Sequence, residues 1–128
     1  MYKFSFPAYI PEDYIQESSL RMEMYHKLGD TQNFKQIEKI LEEIEDRFGK
    51  APDPVYFFYH LMRIKIFCTQ NYFTHLKFQN ISFFAKQDHR KNVEEKNLML
   101  PKNLQKPNLL ESAVIERLQK NFACPNFF

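Results

Sequence analysis

Only two glycines, Gly29 and Gly49, occur in this chain, and they stand twenty residues apart. Loops that cradle phosphate with backbone N–H groups need several glycines close together, so neither a Walker A loop nor a dinucleotide fingerprint can form. The two glycines read instead as helix stops. The rest of the chain is rich in rings, with 14 Phe and 7 Tyr, and 44% of its 128 residues are hydrophobic. Such a chain can bury roughly two-thirds of the surface its unfolded form exposes, which suits one domain and argues against disorder.

Formal charge is +2, from 18 Lys and Arg against 16 Asp and Glu. A field that weak does not drive non-specific binding to nucleic acid or to an anionic membrane. Cys68 and Cys124 are too few and too far apart for a disulfide framework or a zinc ribbon, and read as reduced thiols in a cytoplasmic protein. Lys3 and Ser5 interrupt the apolar start, and no uncharged apolar run approaches the ~18 residues of a membrane span. The expectation is a soluble, cytoplasmic chain with no membrane partner.

Along the chain, residues 2–6 alternate apolar and polar until Pro7, the pattern of a short edge strand or extended arm that pairs with another element. Pro7 and Pro11 push their preceding residues toward extended geometry. Ser18 or Ser19 is placed to cap a helix carrying Leu20, Met24 and Leu28 and stopping at Gly29. A second helix starts near Asp30 or Thr31 and stops at Gly49. Its Phe34, Ile37, Ile40, Leu41, Ile44 and Phe48 fall within one third of the helical wheel at about 100° per residue, with Lys35, Lys39, Glu43 and Asp46 on the opposite side. Pro54 opens a third helix. Between residues 55 and 68 its strongly polar members are only His60, Arg63 and Lys65, so it is expected to be the most buried.

Residues 74–78 and 81–86 are aromatic and β-branched around a Gln79-Asn80 turn, and read as two antiparallel strands. Residues 87–106 are polar and basic and read as a loop, with 97–100 as a candidate further strand. Asn108 caps a last helix with Leu110, Val114, Ile115, Leu118 and Phe122 on one face, ended by Pro125. The predicted fold is α+β in a single domain over 1–128. An extended N-terminal arm (1–17) leads into a three-helix layer (18–70), followed by a small antiparallel β-hairpin or sheet, a basic loop and a C-terminal helix (73–128).

Chemistry has little to work with. His26, His60, His75 and His89 lack the i, i+4 partner or nearby cysteine pair of a zinc site, so neither metal nor cofactor is expected. Cys68 and Cys124 read as packed thiols rather than nucleophiles, since no positioned base is signalled. Glu42, Glu43, Glu45 and Asp46 read as a solvated helix surface. Lysines and rings interleave in the hairpin, and Lys77, Lys86, Arg90 and Lys91 with its aromatics have the composition of a single-strand binder. A hairpin packed on helices has the same pattern. A binding domain rather than an enzyme is expected.

Two stretches match more than packing demands: Ala8-Tyr9-Ile10-Pro11-Glu12-Asp13-Tyr14-Ile15, and Glu42-Glu43-Ile44-Glu45-Asp46-Arg47-Phe48-Gly49-Lys50-Ala51-Pro52. With Arg21-Met22-Glu23-Met24-Tyr25-His26-Lys27-Leu28 and Met62-Arg63-Ile64-Lys65, they follow in order the family blocks "YIP(D/E)xYI", "RLxxYKRL", "ELIDRFGxxP" and "ARLR". The chain thus resembles the C-terminal domain of bacterial transcription-repair coupling factors. The resemblance is specific from Pro7 to about Lys65. It departs at Asn71-Tyr72-Phe73, where the family usually has Leu-Gly-Ile, which implies a differently built loop.

What the resemblance implies is a regulatory part of an ATP-dependent DNA translocase that displaces stalled RNA polymerase at DNA lesions and recruits UvrA for nucleotide excision repair. In that family this domain docks on the UvrB-like domain of the same polypeptide and covers the surface UvrA would occupy. RNA polymerase and DNA are reached only through the parent. The family's acidic contacts map onto Glu43 and Asp46, with Arg47 beside them. Tyr9, Pro11, Tyr14, Arg21, Tyr25, Phe48, Gly49, Pro52 and Arg63 carry the motif as structural residues, with Tyr9 and Tyr14 expected to pin the arm by ring burial and hydroxyl hydrogen bonds. The alternative reading is a nucleic-acid-binding domain that uses the basic, aromatic hairpin.

Overall fold

Apolar side chains all round one helix leave it no solvent face, so it must lie between two other layers. That helix is α3 (Asp53–Gln70), and it divides the core in two. Phe57, Leu61, Ile64, Phe67 and Cys68 face one cluster; Val55, Tyr59 and Ile66 face the other. The computed structural model describes residues 2–3, 6–79, 81–90, 92–101, 104 and 106–126. Phe4 and Ser5 of the arm, Asn80 of the hairpin turn, Lys91, and Phe127 and Phe128 lie outside the described residues.

The second cluster is closed by Ile10 and Ile15 of the arm, Met24 and Leu28 of α1 (Ser18–Gly29) and Ile37 and Ile44 of α2 (Phe34–Phe48). The first is closed by a sheet and by α4 (Pro107–Asn121), whose Leu110, Val114, Ile115 and Leu118 all point inward. The sheet runs in the order β1 (Tyr2–Lys3), β2 (Phe73–Phe78), β3 (Ser82–His89), β4 (Asn92–Met99). The arm therefore pairs as expected: β1 lies parallel to β2, with Tyr2 opposite Leu76. Phe6 then wedges between α3 and β2, stacked on Phe57 at 6.2 Å and edge-on to Phe78 at 5.3 Å. The α+β class expected from the sequence is the class observed, with α3 central.

Several element boundaries differ from the sequence reading. Ser18 and Ser19 lie inside α1, whose N-cap is Glu17 without a side-chain bond. Gly29 is the last residue of α1 and not a left-handed stop; the Asp30 amide closes the helix on His26 O at 2.9 Å. Thr31 still belongs to that end, its hydroxyl donating to Leu28 O. α2 begins only at Phe34, because Asn33 is the cap that accepts from the Gln36 amide at 2.9 Å. In α4, Asn108 sits within the first turn behind Pro107, and the helix ends at Asn121, ahead of Pro125.

The largest difference is β4, an eight-residue strand where the sequence reads mostly loop. Both its faces carry polar residues, so no apolar alternation marks it. Its ladder with β3 is nonetheless continuous from Ser82 opposite Met99 to His89 opposite Asn92. Tyr72, just before β2, adopts φ 67, a left-handed backbone suited to glycine. No helix among the described residues is long and apolar enough to cross a membrane.

Candidate functional site

The C-terminal half of α2 is held in place by two tyrosines, Tyr14 and Tyr56, and one carboxylate, Glu45, around one turn. Gly49 ends the helix at φ 87, its amide donating to Glu45 O at 2.9 Å. The left-handed backbone there is what a glycine provides at low cost. The Tyr14 hydroxyl donates to Gly49 O at 2.6 Å, and its ring meets Phe48 edge-on at 6.1 Å. Burial, then the nearby Glu45 charge, raises the Tyr14 pKa. Glu45 is not a solvated acid, as the sequence suggested. Its Oε2 accepts from the Ala51 amide at 3.1 Å and from the Tyr56 hydroxyl at 2.7 Å, clasping the turn into α3. That hydrogen bond, with burial, pushes Tyr56 up to about 12.

The arm is tied to the same corner. Ile10 N donates to the Tyr25 hydroxyl at 2.6 Å, and Tyr25 packs edge-on against Phe58 at 5.3 Å. Arg21 Nη1 donates to Ile15 O at 2.7 Å and Gln16 O at 2.9 Å, while Pro11 O accepts from the Tyr14 and Ile15 amides. Pro52 caps α3 and its carbonyl accepts from Val55 N at 3.0 Å. Tyr9 differs from its expected role. Its ring is 48% exposed, and the anchor is its backbone amide, which donates to Pro54 O at 3.2 Å. The ring lines a shallow cleft of about 450 Å³ with Tyr14, Pro52 and Pro54.

The acidic residues of α2 are not equivalent. Asp46 is exposed and enters no ion pair among the described residues. Glu43, one step from the buried Ile44, turns toward α1 instead of away from it, and Lys27 Nζ donates to its Oε1 at 2.9 Å. Arg47 reaches the same carboxylate at 3.9 Å and lies over the Phe48 ring at 5.1 Å. Glu43 is therefore half-committed within the fold, whereas Asp46 is left exposed. With Glu38 and Glu42 it forms an exposed acidic ridge at i, i+4 spacing, a like-charge arrangement that isolated helices disfavour.

Arg63, at the far side of α3, joins three helices. Its Nε donates to Glu111 Oε1 of α4 at 2.7 Å, and Nη1 reaches Glu38 of α2 at 3.3 Å and the Tyr59 hydroxyl at 3.4 Å. The guanidinium also lies over Phe34 at 4.8 Å. Burial opposes its charge, but the Glu111 carboxylate and the Tyr59 hydroxyl together outweigh that and the Arg63 pKa is raised. His60 Nδ1 meets the same carboxylate at 2.8 Å. Sequence reasoning missed Glu111, Glu45 and Lys27: each sits among ordinary helix-surface charges, and only the tertiary partner distinguishes it.

Both cysteines are free; burial pushes the Cys68 thiol far up and the Cys124 thiol up to about 11, so neither is a ready thiolate. Among the described residues no group of three or more His, Cys, Asp or Glu could hold a metal ion. On the hairpin, Lys77 is exposed and Lys86 half-buried, with Arg90 at the β3–β4 turn.

Comparison with known proteins agrees with the motif blocks. The TRCF domain family model matches residues 4–98. The transcription-repair-coupling factor of Rickettsia prowazekii (strain Madrid E) is 32% identical over 61 residues, 48% of this chain and 5% of that protein. That of Helicobacter pylori (strain J99 / ATCC 700824) is 36% identical over 63 residues, 49% of this chain and 6% of that protein. The matched stretch is thus a small fraction of the length of these curated relatives. In structure, the chain superposes on the crystal structure of the C-terminal domain of a transcription-repair coupling factor with a TM-score of 0.72, covering 94% of each chain at 15% identity. Sequence blocks, family match and fold agree, and the chain belongs to the TRCF domain family.

Proposed function

We propose that this domain is the regulatory clamp of a transcription-repair coupling factor, the ATP-dependent DNA translocase that displaces stalled RNA polymerase and recruits UvrA. The domain docks on the UvrB-like domain and masks the surface that UvrA would bind. It acts by binding and not by catalysis, in the cytoplasm, and it meets polymerase and DNA through the rest of the translocase. Release of the dock shifts the population toward the form open to UvrA, so UvrA and this domain compete. A contact that must open is expected to be largely polar.

The observation that carries this reading is Asp46: an exposed carboxylate without an ion pair among the described residues, on the family's docking motif, held at a helix end that Tyr14, Gly49 and Glu45 make rigid. Glu43 contributes less, because Lys27 and Arg47 already share its charge. Arg47 is positioned by Phe48 at the edge of the same surface.

Titration calorimetry of the 128-residue chain against the isolated UvrB-like domain of a transcription-repair coupling factor tests the proposal. Asp46→Lys is expected to weaken binding at least about tenfold by reversing the charge at the acidic contact. Glu43→Lys should weaken it less, and UvrA should displace the unchanged chain. Absence of binding, or binding indifferent to Asp46→Lys, would remove the regulatory assignment.

A further inference from the structure

Among the described residues the sheet ends at β4, which follows β3 in the strand order. In an antiparallel ladder the residues of a strand alternate between bonding their neighbour and pointing away from it. The Leu100 amide donates to Ile81 O at 2.8 Å, and the continuous β3–β4 register then puts the bonded pairs at Phe83 with Leu98, Ala85 with Lys96, Gln87 with Glu94 and His89 with Asn92. The other side of β3 agrees, since Ser82 O accepts from the Gln79 amide and the Asp88 amide donates to Tyr72 O. Val93, Glu95, Asn97 and Met99 therefore turn their N–H and C=O groups outward. Arg117 Nε takes the Met99 carbonyl at 2.6 Å. Among the described residues nothing pairs with the outward backbone of Val93, Glu95 or Asn97, and all three are exposed.

Such an edge is a template for one more strand. By alternation the four outward residues place their side chains on the face opposite to that of Leu98, which packs on the core. Toward its two ends Val93 is 53% exposed and Met99 61%, apolar surface that a neighbouring strand would cover. Between them Glu95 meets Lys86 at 3.8 Å and keeps its outer side open. A second copy of the chain is a poor fit. The registers that overlap nearly all of β4 with its own copy centre on Glu95 or on Lys96, and each then faces its own charge across the two-fold axis.

We propose that β4 accepts an extended segment of another protein as a further antiparallel strand. Its alternate residues are apolar opposite Met99, polar opposite Asn97, basic opposite Glu95 and apolar opposite Val93. Backbone hydrogen bonds supply the affinity and the alternate side chains the selection. The charges on the edge keep copies of the chain apart while admitting a strand of complementary sign. Leu98 packs in the cluster under the sheet and Ile44 in the other, so this edge is separate from the acidic side of α2.

The test is amide NMR of the isotope-labelled full chain titrated with the end-capped peptide Val-Thr-Thr-Thr-Lys-Thr-Val. In the free chain the amides of Val93, Glu95 and Asn97 are expected to exchange with solvent faster than those of Glu94 and Lys96, which donate to β3. The peptide should shift the first three and slow their exchange. Asn97→Pro removes an outward donor without touching the ladder to β3, and should keep the spectrum of the fold while weakening binding about fivefold or more. Glu95→Lys should weaken binding about two- to fivefold, and a peptide with Glu in place of its Lys should prefer that variant to the unchanged chain. Such a reversal of preference cannot come from unfolding, and it decides the question independently of the proline variant. No shift at the three amides at millimolar peptide, a folded Asn97→Pro that binds as tightly as the unchanged chain, or an unreversed preference at Glu95→Lys would overturn the proposal. So would concentration-dependent dimers in ultracentrifugation that Asn97→Pro dissolves, which would assign the edge to a second copy.

Discussion

Two tyrosine hydroxyls hold the arm, and they differ in what their removal leaves behind. Tyr25 accepts from the amide of Ile10, a residue 4% exposed, so Tyr25→Phe strands a donor away from water. Tyr14 donates to the carbonyl of the exposed Gly49, which water can satisfy in its place. The orphaned buried donor should cost about 1–3 kcal/mol, the solvated carbonyl about 1 kcal/mol or less. Urea unfolding of the two variants at unchanged m-value is expected to rank Tyr25→Phe as the more destabilising. The reverse order would mean that the ring contacts with Phe48 and Phe58, rather than the hydroxyls, set the strength of these ties. Arg63 works on the same scale: with His60 it gives Glu111, 9% exposed, two hydrogen-bonding partners, and its removal would leave that carboxylate with His60 alone.

The helices show how little the residue type says without its backbone conformation. Gly29 and Gly49 both end helices, and nothing stands within 4 Å of a Cβ built at either. Only Gly49 is left-handed, at φ 87. Gly29→Ala should therefore stabilise the chain by about 0.5–1 kcal/mol, through helix propensity and a less flexible unfolded state. Gly49→Ala should destabilise it by about 1–2 kcal/mol and loosen the carbonyl that Tyr14 holds. Thermal melts of the pair should move in opposite directions; parallel shifts would contradict the assignment of the strain to φ. Because Asp46 sits three residues before Gly49, Gly49→Ala also links helix termination to the proposed docking surface.

At the scale of the whole molecule, α3 belongs to both clusters, and α4 completes only one of them. Removing residues 107–128 would strip Leu110, Val114, Leu118 and Phe122 from the cluster that holds Leu76 and Phe83, and would leave His60 and Arg63 without Glu111. The shortened chain is expected to lose its near-UV circular dichroism and cooperative unfolding, and to bind a hydrophobic dye. A sharp transition with native near-UV signal would show that α4 is dispensable, even though it lies beyond the family match at residues 4–98. Much of this architecture is legible in the chain itself. The apolar stripe of α2, the all-round apolar α3 and the inward face of α4 follow from spacing, because a helix repeats its face every few residues and each repeat lies within the local sequence. The turn at Gly49 and the arm read the same way. β4 does not, since its partly buried positions are Glu94, Lys96 and Leu98 and so show no apolar period, and its existence is decided by the ladder that β3 offers. Nor do the roles of the charged residues. Lys27 meets Glu43 across 16 residues of sequence, and His60 meets Glu111 across 51. Local sequence determined the helices and which sides they bury; tertiary structure alone decided that β4 forms, and which carboxylates are spent inside the fold and which, like Asp46, stay exposed, because strand and charge pairing depend on what folding brings within reach.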